Sequence, residues 1–272
     1  MSRAGRDARA GCQRLALKIG LILAVVSPAL LARAESPAAE RPVLRVLAAA
    51  SLAEVLDGLA RDFTGARVET SFGASSDLAR QIADGAPADV FIAASADWIA
   101  FLEEKNAVVG AATIVARNAL VCVAPPTGRL AGAAQSEPIR DPAALLERLA
   151  SGDLVAIADP GVPAGEYARA ALAKLGIAQA FERRLVGQRD VRAVLHAVEK
   201  GEVEAGFVYA TDARIARVAT LFVFDPASHP PIEIPAVVVR QSSQPVLARR
   251  FLDYLASEPA RARLSTAGFV LP

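Results

Sequence analysis

The sequence predicts an α/β protein of two lobes, each a mainly parallel sheet flanked by helices, with a ligand cleft between them. Three observations carry that expectation. Short apolar, β-branched runs alternate with helix-period segments along most of the chain, the pattern of strands covered on both faces by helices. The alternation comes in two sets, separated near residue 117. Several strand-to-helix junctions place small residues and a serine or aspartate at the helix head, and in open α/β sheets ligands gather at that end of the strands.

The first set begins with VLRVLAA (43–49), an apolar strand. Residues 52–63 follow, with Leu52, Val55, Leu56, Leu59, Ala60 and Phe63 at the i, i+3, i+4, i+7 spacing of a helix. ARVETSF (66–72) reads as a strand, Leu78, Ala79 and Ile82 as a short helix stopped by Asp84-Gly85, and ADVFIAA (88–94) as a third strand before a short helix around Trp98 to Leu102. In the second set ALVCVAP (119–125) and LVAIAD (154–159) are strands. A less regular region spans 129–141, and Leu145 to Leu149 belong to a helix. Helices follow over 165–175, closed by Gly176, and over 190–200, closed by Gly201. AGFVYA (205–210), LFVFD (221–225) and IPAVVVR (234–240) are strands, and Val246 to Leu255 is a helix with a further short one before Gly268. The expected division is a first lobe of residues 43–116 plus 228–272 and a second of 117–227.

Residues 1–34 are of another kind. Arg3, Arg6, Arg9, Arg14 and Lys18 precede the apolar run IGLILAVVSPALL, and Ala32-Arg33-Ala34 is a small-x-small cleavage signal. This is the anatomy of a secretory signal peptide, cleaved near Ala34-Glu35, with residues 35–42 as a linker. The apolar run is shorter than the ~20 residues a membrane span requires. The segment holds six of the 30 Lys and Arg and one of the 29 Asp and Glu, so cleavage leaves a net charge of −4. A mildly acidic chain offers no electrostatic footprint for nucleic acid. Cys122 alone survives cleavage, in LVCVAP, and reads as a buried strand thiol. With two histidines beside it, transition-metal chemistry has few ligands to use, and no cofactor is expected.

Four helix heads attract attention. Ser51 follows the first strand, and Ser51-x-x-Glu54 has the spacing of a capping box. Ser75 and Ser76 precede Leu78, Ala164-Gly165 lead into a helix, and Asp190 precedes Val191. Each alone is an ordinary cap. As a set they place helix N-termini and hydroxyls where an anion is bound by neutral donors. GxxxxGK[ST] and GxGxxG are both missing, and no Arg/Lys cluster accompanies the serines. Donors alone suit a fully deprotonated tetrahedral oxyanion. A serine nucleophile is the competing reading of Ser75, but Asp77 stands where GxSxG requires glycine. His196 reads as an exposed helix residue and His229 as a loop residue.

Taken together, AAASLAEVL, FGASSDLARQIADGAPADVFIAAS, DPGVPAGEYARAAL, DVRAVLHAVEKGE, GFVYATDA and the terminal GFVLP resemble the periplasmic molybdate-binding proteins of ABC transporters, within the type II solute-binding superfamily. The likeness runs from Val43 to Pro272. It implies a two-lobed periplasmic binding protein of type II that binds molybdate, and tungstate with it, and hands it to a membrane permease as a monomer without enzymatic activity. Molybdenum would enter only as the oxyanion. The resemblance implies that Ser51, Ser75 and Tyr209 donate hydroxyls, and Ala164 and Val191 backbone N–H groups. The chain departs from the family at Ala74, often a serine, and at Asp77, often a threonine. The Asp77 carboxylate is expected to face solvent or cap its helix, with Ser76 as a substitute donor. Another oxyanion such as sulfate, or a secreted hydrolase using Ser75, are the alternatives; a ferric receptor would need more tyrosines than Tyr167, Tyr209 and Tyr254.

Overall fold

The computed structural model describes residues 41–272. The signal peptide and most of the linker read from the sequence lie outside the described residues. Two five-stranded sheets organise the rest, with strand orders β2-β1-β3-β10-β4 and β7-β6-β8-β5-β9. The first contains β1 (Val43–Ala49), β2 (Arg67–Gly73), β3 (Val90–Ile92), β4 (Val108–Arg117) and β10 (Glu233–Val239). The second contains β5 (Leu120–Ala124), β6 (Val155–Ala158), β7 (Leu185–Gln188), β8 (Ala205–Tyr209) and β9 (Ala219–Val223).

Each sheet is mainly parallel, as expected, with four strands running one way and a single strand, β10 or β5, running against them. β1 runs parallel to β2 and β3, but β10 is antiparallel to both β3 and β4. In the second sheet β6 is parallel to β7 and β8, while β5 is antiparallel to β8 and β9. Antiparallel strands enter because the chain crosses between the sheets. It leaves β4 for β5 through Asn118 and returns from β9 to β10. The two crossings touch: Asn118 N–H donates to Ile232 O at 3.0 Å. An isolated antiparallel pair, Arg117 with Val270, ties the C-terminal segment to the same place.

The most deeply buried strands are apolar throughout. β5, β6 and β8 are buried at every residue, while β2, at a sheet edge, alternates exposed and half-buried positions. Two strands carry a weaker signal and were not anticipated. β4 is rich in alanine and half exposed, and β7 is four residues long with no buried position. The region expected to be irregular includes a helix, Arg129–Ser136, which follows Gly128 and buries Leu130 and Ala131 in the core.

Helices α1 (Ala53–Asp62), α2 (Ser75–Ala83) and α3 (Ala96–Glu104) follow β1, β2 and β3. Then come α4 (Arg129–Ser136), α5 (Pro142–Arg148), α6 (Pro163–Lys174) and α7 (Ala178–Glu182). The chain continues with α8 (Val191–Glu199), α9 (Ala210–Ile215), α10 (Pro245–Leu255) and α11 (Glu258–Thr266). Among the described residues no helix is long and apolar enough to cross a membrane. Cys122 is buried in the middle of β5, and burial raises its thiol pKa well above the ordinary value, so it stays an inert core group.

Candidate functional site

Each lobe turns helix N-termini toward the other. From the first lobe come the short 3-10 turn Ala50–Leu52 ahead of α1, and α2 after its N-cap Ala74. From the second come α6, whose first residue is Pro163, and α8, capped by Asp190. The first N–H groups of a helix have no partner within it and carry the positive end of the dipole. Here four such ends meet.

They enclose one cavity of about 20 Å³, lined by Ser51, Ser75, Ala164, Val191 and Tyr209 together with small residues such as Gly73 and Ala94. All five residues named from the sequence reach it. On this measure one water needs roughly 10–15 Å³, so the space suits a single small ion and excludes a sugar or peptide. No lysine or arginine lines it. Asp190 does, but its Oδ1 accepts from Ala193 N–H at 2.9 Å, which fixes it as the α8 cap.

The hydroxyls are arranged as donors. Ser75 Oγ accepts from Ala94 N–H at 3.0 Å, and no acceptor for its own proton is present among the described residues. Ser51 Oγ and Tyr209 Oη are buried and have no protein partner among the described residues. A buried hydroxyl without a partner costs free energy, and two at one cavity point to a ligand with acceptors. Burial, then the nearby Tyr167 and Asp212, push the Tyr209 phenol well above its ordinary pKa, so it keeps its proton.

The capping box expected at Ser51-x-x-Glu54 does not form. Ser51 sits inside the 3-10 turn, α1 starts two residues later, and no side chain caps either element. Glu54 instead reaches across the cleft to Arg192, with Arg192 Nη1 to Glu54 Oε1 at 2.9 Å. Arg192 also contacts Ser51 O at 3.4 Å and sits 2.9 Å from Asp212 Oδ1 through Nε. That last approach pairs charges without hydrogen-bond alignment. Neither Arg192 nor Asp212 was singled out from the sequence, though each stands beside a named residue, in DVR and in YATD. Asp212 is fully buried, and burial outweighs Arg192 to raise its pKa to about 6. Its Oδ2 accepts from Tyr209 N–H at 3.2 Å, which holds the end of β8 in place.

Asp77 is 60% exposed and pairs with Arg80 at 3.3 Å, away from the cavity, as expected. Ser76 is buried but does not line the cavity. Neither histidine lines it: His196 is exposed on α8, and His229 packs edge-on against Tyr167. Trp98 does more than pack within the first lobe. Its indole N–H donates to Gly161 O of the second lobe at 3.1 Å.

Residues 44–270 match the model of the bacterial extracellular solute-binding protein family. The chain is 37% identical over 233 residues to the molybdate-binding protein ModA of Haemophilus influenzae, covering 82% of this chain and 88% of that one. With ModA of Escherichia coli it shares 35% identity over 239 residues, covering 86% and 91%. The periplasmic molybdate-binding protein of Azotobacter vinelandii has the same fold, with a TM-score of 0.73 at 24% identity over 84% of this chain and 99% of that one. A two-sheet fold closed over a single small-ion cavity, together with this likeness along the whole described chain, leads to one assignment: the chain belongs to the bacterial extracellular solute-binding protein family, in the branch that contains those ModA proteins.

Proposed function

We propose that this protein captures molybdate, and tungstate with it, in the periplasm and delivers it to an ABC permease in the membrane. The observation that carries the reading is the set of three buried hydroxyls, on Ser51, Ser75 and Tyr209, whose protons are uncommitted around one cavity. Backbone N–H groups of Ala164 and Val191 at the heads of α6 and α8 complete the donor set. A dianion is held by donors alone and needs no basic residue, because the helix ends supply the positive potential. A protonated oxyanion such as hydrogen phosphate carries its own donor, which must be met by turning a cavity hydroxyl into an acceptor and so removes one donor from the set. Sulfate has the same chemistry as molybdate but is smaller, so contact distances around a fixed cavity separate the two.

Binding is non-covalent, and closure is a rotation of one lobe against the other about the paired crossings at Asn118 and Ile232. A signal peptide cleaved near Ala34-Glu35 would deliver the mature chain to the periplasm as a monomer. Isothermal calorimetry of the mature protein against molybdate, tungstate, sulfate and phosphate tests the reading. Heat with the first two and none with phosphate is expected. Tight sulfate binding with no molybdate signal would reassign the ligand.

A further inference from the structure

We propose that Arg192 is a latch across the cleft, anchored in the second lobe and engaged with the first only when the lobes close over the anion. This rests on the reading of the cavity as an oxyanion site.

The geometry is directional. Arg192 belongs to α8, and its anchor Asp212 belongs to α9 of the same lobe, 2.9 Å from Nε and fully buried. Opening the cleft leaves that pair together. The other end of the guanidinium reaches the first lobe as a fork, with Nη1 to Glu54 Oε1 at 2.9 Å and Nη2 to Glu54 Oε2 at 2.5 Å. Parallel N–H···O pairs of this kind fix orientation as well as adding attraction. Opening must break both. Asp212 therefore aims the guanidinium, and Glu54 receives it.

The latch is also next to the ligand on both sides. Arg192 follows Val191, whose backbone lines the cavity, and it touches the carbonyl of Ser51, whose hydroxyl lines it from the opposite lobe. An anion that draws Ser51 and Val191 together brings the fork into register. Arg192 itself is not a cavity residue, and its charge is shared between two carboxylates, so it acts on closure and not as a ligand. Once formed, the fork must open before the anion leaves. Its effect therefore falls on the release rate and not on the encounter rate.

Glu54→Gln tests this without disturbing the buried Arg192–Asp212 pair, since the Glu54 side chain is 56% exposed. The wild type is first titrated with molybdate, tungstate and sulfate, and whichever binds serves as the probe. Binding of none of them removes both the oxyanion reading and the latch. With a bound probe, stopped-flow chase should show release about fivefold faster in Glu54→Gln, the scale of one partly exposed ion pair. Association rate and melting temperature should stay at the wild-type values. Glu54→Asp, which shortens the reach but keeps the charge, should also release faster. Release at the wild-type rate in Glu54→Gln overturns the latch while leaving the oxyanion site standing. So does a loss of affinity that appears only in the association rate.

Discussion

Three hydroxyls line the cavity, but the protein treats them differently, and substitutions should separate their roles. Ser75 holds Ala94 N–H as well as facing the ligand space. Ser75→Ala should weaken molybdate binding by about 1–3 kcal/mol and, by orphaning a buried N–H, lower stability by a similar amount. Ser51 Oγ and Tyr209 Oη hold nothing in the protein. Ser51→Ala and Tyr209→Phe should therefore weaken binding on the same scale while leaving ligand-free stability unchanged or raised. Calorimetry and urea denaturation of each variant check this; equal stability loss in all three would mean the hydroxyls serve the fold alone. Asp212 gives a pH signature. Its folded pKa, about 6, lies above the ordinary 3.8 because burial outweighs the attraction of Arg192, with Glu54 and Asp190 adding repulsion. The folded state then binds the extra proton, so this group's contribution to stability falls as pH rises from about 4 to 6 and stays low above that. Asp212→Asn should gain on the wild type in denaturation midpoint across that window. A difference that is flat with pH would show the carboxyl to be unshifted.

At the level of elements, the helix heads depend on how closely they can approach their strands. Gly165, in the first turn of α6, sits against β6: a Cβ there would lie 2.1 Å from Ala158 O. Gly165→Ala must push α6 away from the sheet, taking Pro163 and Ala164 with it. A stability loss of about 1–3 kcal/mol and weaker molybdate binding are expected from thermal denaturation and calorimetry. Preserved affinity would mean the head of α6 does not set the site. The helix heads were legible in the sequence because capping residues and helical periodicity are local. The capping box at Ser51 misled for the same reason: S-x-x-E has the right spacing, but Arg192, 138 residues from Glu54, takes the carboxylate. β4 and β7 were invisible because half-exposed, alanine-rich or very short strands carry no alternation strong enough to read.

For the molecule as a whole, closure joins the lobes at several places besides the Arg192 contacts. Trp98 on α3 donates to Gly161 O at the approach to α6, and Arg80 of α2 stacks over the indole ring at 5.0 Å. Tyr167 of α6 lies 3.4 Å from Ala94 O in the first lobe. Since Trp98 is the sole tryptophan, its emission reports on this seam. Molybdate should shift Trp98 emission and reduce the radius of gyration in small-angle scattering. Saturating molybdate with neither change would mean that the lobes do not move on binding.

The two-set α/β organisation, the helix heads and, through the family resemblance, the five residues that line the cavity are all legible in the chain before it folds. Those features are written in local periodicity, capping chemistry and short motifs. Folding supplies what local pattern cannot encode: the one antiparallel strand in each sheet that results from crossing twice between lobes, the release of Ser51 from its expected cap, and the Arg192, Glu54 and Asp212 cluster. A charged side chain takes the partners that folding brings within reach, and those partners are set by distances in space between residues far apart in the chain.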